Sequence, residues 1–418
     1  MKTRTRRRIA IARKLTLASG TTLALLVAFG EMAVVSARSG GRPEVGTYSL
    51  LYSFQCSPDG EYPEAGLVRD TSGNLYGTTY EGGQFGYGTV VEVTPSGTET
   101  VLHSFAGAPS DGENPSVASL ALDPAGNLYG TTPSGGEFGA GVVFKWTATT
   151  GGEPILYNFT GGTDGGGPLG GLARDGAGNL YGTTQGGGTA GDGVVFKLTP
   201  SGAESVLHNF GQTPDDGKNP IGNLTRDSSG NLYGTTYRDT DPFVYGTVFE
   251  VSASGTETLL QSFDCNPFGH GCGGKLPAGT GLLLDKAGNL YGVTEVGGGY
   301  EDGIIFKVTP PSSYSVLLNF NGSGGREPYD GLAEDAAGNL YGTTYYGGST
   351  TCGAEGCGVL FELTTTGEEM VLHNFLFSTA DDGFFPLGGV VRDPEGNLYG
   401  TLSGGGASGC GAVFKFTP

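Results

Sequence analysis

A chain of 418 residues with 81 glycines and a formal net charge of -20 is too acidic to hold a nucleic-acid backbone or an anionic lipid surface. Its length would admit two or three ordinary domains. The glycines, however, recur at fixed places among Val, Leu, Phe and Tyr, the pattern of short strands and tight turns rather than of disorder.

The chain opens on a basic stretch, residues 1–14, with Lys2, Arg4, Arg6, Arg7, Arg8, Arg13 and Lys14. An apolar run, Leu15 to Gly30, follows, and then small residues at Val35-Ser36-Ala37. This predicts a signal peptide over 1–37 and a linker over 38–45, with an uncleaved anchor as the alternative reading. Loss of the leader would take the net charge to -26. No second apolar span follows, so the mature body is expected to be exported to the cell surface, periplasm or medium and not to cross a membrane.

From residue 46 onward one unit repeats. Gly-Asn-Leu-Tyr-Gly recurs with its Asn at 74, 127, 179, 231, 289, 339 and 397, a period near 50 that points to a propeller or array. In residues 168–210, Gly171 to Asp175 reads as a short strand a, Leu180 to Thr184 as strand b, Gly193 to Thr199 as strand c and Glu204 to Phe210 as strand d. Four antiparallel strands joined by turns make a blade. Val194-Val195-Phe196 is apolar at successive positions, as expected where neighbouring blades cover both faces of a sheet. A β-solenoid would have shorter repeats.

The two ends of the body complement each other. Residues 47–54 form a strand d with nothing before it, and residues 411–417 a strand c with nothing after it. The fold predicted is therefore all-β: a seven-bladed β-propeller over 46–418, its last blade closed by the N-terminal strand, with strand a innermost. A monomer is expected.

The units V-L-H-N-F, D-G-x-x-P, G-L-x-R-D-x-x-G-N-L-Y-G-T-T and G-V-V-F-K-L-T-P resemble the GloVer tandem repeats of exported bacterial proteins over essentially residues 46–418. The a-to-b hairpin is also similar to that of NHL-type propellers. The GloVer resemblance implies export and surface display and brings no enzymatic role. Many of its members carry a C-terminal anchoring segment, whereas this chain ends on strand c at Pro418.

The d-to-a loops carry Asp59, Asp111, Asp164, Asp216 and Asp382, each followed by Gly. At a channel mouth these carboxylates could bind Ca²⁺ or sugar hydroxyls. The plainer reading is that Asp-Gly is a turn. A second set, Asp70, Asp123, Asp175, Asp227, Asp285, Asp335 and Asp393, is present in every unit and reads as turn capping. His103, His208 and His373 share one position on strand d and form no triad, while His270 lies between two cysteines. Trp146 and the tyrosines could supply a carbohydrate platform, although most of the tyrosines read as core. No catalytic or nucleotide-binding motif stands in a credible context, and no cofactor is expected beyond Ca²⁺ at the loop aspartates. Two functions follow: a secreted or surface scaffold that binds glycan, polymer or protein, or an extracellular metal-dependent hydrolase or lyase acting on carbohydrate or lactone.

Six cysteines in an exported chain point to disulfides. Cys265 and Cys272 share one loop, as do Cys352 and Cys357, which leaves Cys56 and Cys410. The first follows the N-terminal strand d and the second precedes the C-terminal strand c. Antiparallel pairing of those strands would bring them together. Free thiols or a metal site are the alternative.

Overall fold

Short strands at the repeat spacing become seven four-stranded antiparallel blades in the computed structural model. It describes residues 46–115, 119–152, 154–213, 216–239, 244–264, 273–277, 279, 281–377 and 381–418. Blade 3 shows the plan: strand a is Ala173–Arg174, b Leu180–Thr184, c Val194–Leu198 and d Glu204–Asn209, hydrogen-bonded in that order. One Thr350–Cys352 turn of 3-10 helix is present. Among the described residues no helix is long and apolar enough to cross a membrane.

The repeat motif reads directly as packing. Gly182 in strand b lies under Phe196 and Leu172, so a side chain there would strike both. The Phe at the end of each strand d is buried, and six of the seven pack against a ring in strand c of the next blade, five edge to face and one tilted. The pairs are Phe105–Phe144, Phe159–Phe196, Phe210–Phe249, Phe263–Phe306, Phe320–Phe361 and Phe375–Phe414, with ring centroids 5.0–5.4 Å apart. In the seventh place Phe54 packs in one cluster with Val91.

The D-G-x-x-P loop forms a second seam between blades. Its Pro sits against the glycine that starts strand c of the preceding blade, as Pro220 does on Gly193 and Pro63 on Gly411. The residue before the Pro takes a left-handed backbone in every blade, six times without glycine, at Tyr62, Asn114, Asn219, Leu276, Glu327 and Phe385, and once at Gly167. That conformation is costly, and a bridge across the seam offsets it. Glu327 donates its N–H to Asp302 O of the preceding blade at 2.9 Å and accepts from Tyr345 N of its own at 3.0 Å. Threonines of strand b add a third tie, for example Thr131 Oγ1 to Gly170 O at 3.0 Å.

The ring closes as the two ends predict. Thr47–Ser53 pairs with Ala412–Thr417, Thr401 Oγ1 of blade 7 donates to Ala65 O of blade 1 at 3.0 Å, and a disulfide joins Cys56 to Cys410. Cys352 and Cys357 form the second bond. The expected Cys265–Cys272 staple and His270 lie outside the described residues. Strands a are innermost: those of blades 2–6 line a cavity of about 460 Å³ on the ring axis, with Leu120, Leu172, Leu224, Leu282 and Leu332 in its wall.

Candidate functional site at the channel mouth

Strand d runs toward the face on which strand a begins, and this face carries the d-to-a and b-to-c loops. Its five Asp-Gly aspartates are built into the wall. Asp216 meets His208 Nε2 at 2.7 Å and accepts from Gln212 N at 2.8 Å. Asp111 meets His103 Nε2 at 3.0 Å, and Asp382 meets His373 Nε2 at 3.3 Å. Tyrosine takes the place of histidine twice: Tyr52 donates to Asp59 at 2.7 Å and Tyr157 to Asp164 at 3.0 Å.

Where the loop has Gly273 or Gly324 in place of Asp, strand d carries Gln261 or Leu318 at the matching register. The Asp and its Tyr or His partner thus come and go together within one chain. Asp59, Asp111, Asp216 and Asp382 are buried and Asp164 is half-buried. Their oxygens bolt the loop to strand d instead of opening onto a ligand, and this explains the repeated histidine that the sequence leaves without a role.

On the opposite face the second set caps the a-to-b turns. Asp175 accepts from Ala177 N, Asn179 N, Asn179 Nδ2 and Tyr181 OH at 2.8–3.0 Å. Burial alone would raise its carboxyl, but these bonds outweigh it and hold the group below the usual range. Trp146 ends strand c of blade 2 and packs half-buried against the core. The grouping of Cys56, Glu61 and Cys410 has metal-like spacing, but its two sulfurs are already spent on the disulfide.

The throat below the mouth breaks the sevenfold symmetry. Gly66 of blade 1 faces both Ser119 Oγ of blade 2 and Asp330 of blade 6. Asp330 is buried and accepts from Gly331 N and Gly389 N, and Asn223 Oδ1 accepts from Gly171 N at 2.5 Å. Burial pushes the Asp330 carboxyl up to about 7 against the two amide bonds that lower it. The chain's own oxygens therefore occupy amides that ring the axis. Sequence reasoning passed over Asp330. Its signal was available, since matching blades have Ala65, Gly170, Gly222 and Gly388 at that position.

Above the throat, side chains from positions that vary between blades gather on one arc. Tyr329 and Tyr345 lie edge to face with centroids 5.4 Å apart, and Tyr345 stacks on Phe385 at 4.8 Å. Burial and then Glu295, Glu327 and Tyr237 raise the Tyr329 phenol, while Tyr345 feels Tyr346, Glu64 and Glu327. Burial and then Glu327 push Glu295 up to about 7, and burial and then Glu81 do the same to Glu64. Five blades thus contribute to one aromatic and acidic cluster.

The outer part of the same face is studded with rings. Of the eight exposed large apolar side chains among the described residues, seven are aromatic: Tyr62, Phe85, Tyr87, Phe138, Tyr245, Tyr300 and Phe377. All seven lie in d-to-a or b-to-c loops or at the first residues of strand c, and none in the turns of the opposite face.

Architecture and site together define a seven-bladed β-propeller with one chemically distinct face. The chain belongs to the Gloeobacter/Verrucomicrobia repeat family, whose pattern matches residues 41–242 and 230–418. No curated protein matches it. Among solved structures it is similar to the extracellular domain of a hybrid two-component system from B. thetaiotaomicron, at 14% identity and TM-score 0.51, over 90% of this chain and 41% of that one. It is also similar to PorZ, a bacterial surface component of the type-IX secretion system of Porphyromonas gingivalis, at 16% identity and TM-score 0.51, over 84% and 46%. The chain thus spans less than half of either. A gluconolactonase from Xanthomonas campestris aligns at 13% identity and TM-score 0.42, over 70% and 82%. Likenesses at these identities concern the fold alone.

Proposed function

We propose that this protein is an exported binding scaffold whose ligand lies across the mouth face of the ring, and that it performs no catalysis. The observation that carries the proposal is the segregation of seven exposed aromatic side chains onto one face. Exposed rings concentrated on one side of a protein mark a recognition surface, whereas scattered ones need no explanation. Tyrosine and phenylalanine offer large, stiff contact area at low entropic cost, and the glycines between them, as in Gly83-Gln84-Phe85-Gly86-Tyr87-Gly88, let the loops follow a ligand.

Export is supported by the leader expected over 1–37 and by the disulfides Cys56–Cys410 and Cys352–Cys357. The loop aspartates are spent internally, and this favours a binding face over a ring of metal-bound carboxylates. The experiment is a binding screen of the mature protein against polysaccharides and cell-envelope extracts, repeated with Phe85→Ala/Phe138→Ala/Tyr300→Ala. Retention lost in the triple variant supports the reading. Retention unchanged, or turnover of a sugar or lactone substrate that the mature protein sustains, overturns it.

A further inference from the structure

We propose that the inner arc of the mouth, built from Glu64, Glu295, Glu327, Tyr237, Tyr329 and Tyr345, is a subsite for the protonated amine of an amino-sugar polymer. The inference rests on the binding-face reading and names the ligand class. These six side chains come from the entries and exits of blades 1, 4, 5 and 6, and their combination is not a product of the repeat. Glu64 and Tyr329 share one repeat position, which holds Leu169, Ile221 and Leu387 in three other blades, and Tyr237, Glu295 and Tyr345 share another, which holds Tyr80, Pro133, Gln185 and Ser403 in the rest.

Three features of the arc fix the chemistry of its guest. The first is charge without counter-charge. Glu64 and Glu295 are half-buried, and the groups acting on them are other carboxylates, Glu81 and Glu327, with no Lys or Arg among them. Two guanidiniums stand nearby: Arg326, beside Glu327, is engaged by Glu355 and lies over the Tyr346 ring, 5.3 Å from its centroid, and Arg238 lies over the Tyr237 ring at 5.9 Å. A cation from outside would supply the missing partner, whereas an anion would meet repulsion at close range.

The second feature is the aromatic wall. Tyr329 and Tyr345 stand at 75° to each other and Phe385 stacks on Tyr345, so the wall is made of ring faces and edges from three side chains. An ammonium group is attracted to such a face, and more strongly where carboxylates stand behind it. The third is unspent hydrogen-bonding capacity. Burial and neighbouring charge act on the Tyr237, Tyr329 and Tyr345 phenols, and no hydrogen bond to a described residue is among the influences on any of them. Phenols so placed can bond ring hydroxyls flanking an amine.

A sugar polymer also fits the surroundings better than a basic protein does. Among the described residues, the exposed large apolar side chains of this face are all rings. Flat amphipathic rings suit successive sugar units, whereas a protein partner's hot spots would need a desolvated, close-packed pocket.

The test uses the full mature chain in calorimetric titrations near pH 7, where the raised carboxyls and a sugar amine both carry charge, with three probes: a glucosamine oligomer, its N-acetylated counterpart of the same length, and a lysine oligomer. The expected result is binding of the free-amine sugar about tenfold or more tighter than either of the others. That affinity should fall with added salt and drop about tenfold in Glu64→Gln and in Glu295→Gln. These isosteric changes should leave the thermal unfolding midpoint unchanged or slightly raised, which separates loss of the site from loss of the fold. Equal binding of the acetylated sugar would show that charge is not read. Equal binding of the lysine oligomer would show that the sugar is not read. Either result overturns the assignment, as does an affinity unmoved by both Gln variants. If none of the three binds while another polymer is retained and released by the Phe85/Phe138/Tyr300 variant, the amine subsite fails and the binding face survives.

Discussion

Blade 3 and blade 7 have the same four strands in the same register, yet one is a continuous piece of chain and the other is assembled from its two ends. In blade 3, Val195 faces His208 and Phe196 faces Val206, with a bulge between. In blade 7, Val413 faces Tyr52 and Phe414 faces Leu50, with the bulge at the same place. What differs is the covalent tie between strands c and d. Blade 3 has the turn Pro200 to Ala203 on the far face, whereas blade 7 has no turn and carries Cys56–Cys410 at the mouth end. The next interface differs as well, since Phe210 meets Phe249 but Phe54 meets Val91. Register is thus a property of the strand sequences and needs no turn. The disulfide restores the connection that splitting the blade removed.

The strongest way to break this equivalence is to delete residues 46–55. Blade 7 would lose its outer strand and the ring its closure, and the cooperative melt of the parent should disappear in calorimetry. A truncated protein that melts like the parent would show that closure is dispensable. Next, Phe210→Ala should cost about 3–5 kcal/mol in denaturant unfolding. Phe54→Ala should cost less by about 0.5–1.5 kcal/mol, because Phe54 has a ring partner in its own strand, Tyr52, but none in the next blade, whereas Phe210 has both His208 and Phe249. Equal losses would mean that the edge contact adds nothing beyond burial.

Replacing Cys56 and Cys410 by Ser should cost about 2–4 kcal/mol, and replacing Cys352 and Cys357 less than half as much, because the loop closed is so much shorter. Reversal of that order would place the main restraint in the local loop. A smaller effect is expected from Tyr52→Phe, about 1 kcal/mol, since Asp59 keeps its bonds from Gln55 N and Gly60 N at 2.9 and 2.7 Å. Asp216→Ala should exceed it, because it strands His208 and the Gln212 N–H at once.

The smallest effect per residue, and the one that separates the two blades most finely, is on pH. Burial pushes Glu204 of blade 3 up to about 7, and the matching position in blade 7 is Tyr48. Glu99, Glu257 and Glu369 repeat the blade 3 arrangement and are also pushed up, mainly by burial, to about 7. The folded state therefore holds more protons than the unfolded one between the ordinary 4.5 and about 7, so stability should fall as pH rises through that window. The capping aspartates Asp123, Asp175, Asp285, Asp335 and Asp393 act oppositely. Burial would raise them, their hydrogen bonds lower them below 3.8, and their contribution is lost only as pH drops beneath that value. Urea midpoints should peak on the mildly acidic side. Glu204→Gln should flatten the decline, and Tyr48→Glu should steepen it. A midpoint that rises toward neutrality would contradict the sign.

What the sequence alone determined is everything that depends on local chemistry repeated seven times. Blade number, strand order, the Asp-x-x-Gly-Asn caps, the complementary ends and the Cys56–Cys410 pair follow from turn residues, β-branched runs and strand polarity, which act over a few neighbours and are visible in one dimension. The tertiary structure decided where repeated residues point and which unrepeated ones meet. Asp59, Asp111, Asp164, Asp216 and Asp382 look like a ring of free carboxylates until strand d is seen to bring Tyr or His against each one. Glu64, Tyr237, Glu295, Glu327, Tyr329 and Tyr345 are scattered over 282 positions of sequence, from 64 to 345, and only closure of the ring sets them on one arc. A repeat encodes its own unit, but the side chains that depart from it acquire a common address only when the units are bent into a circle.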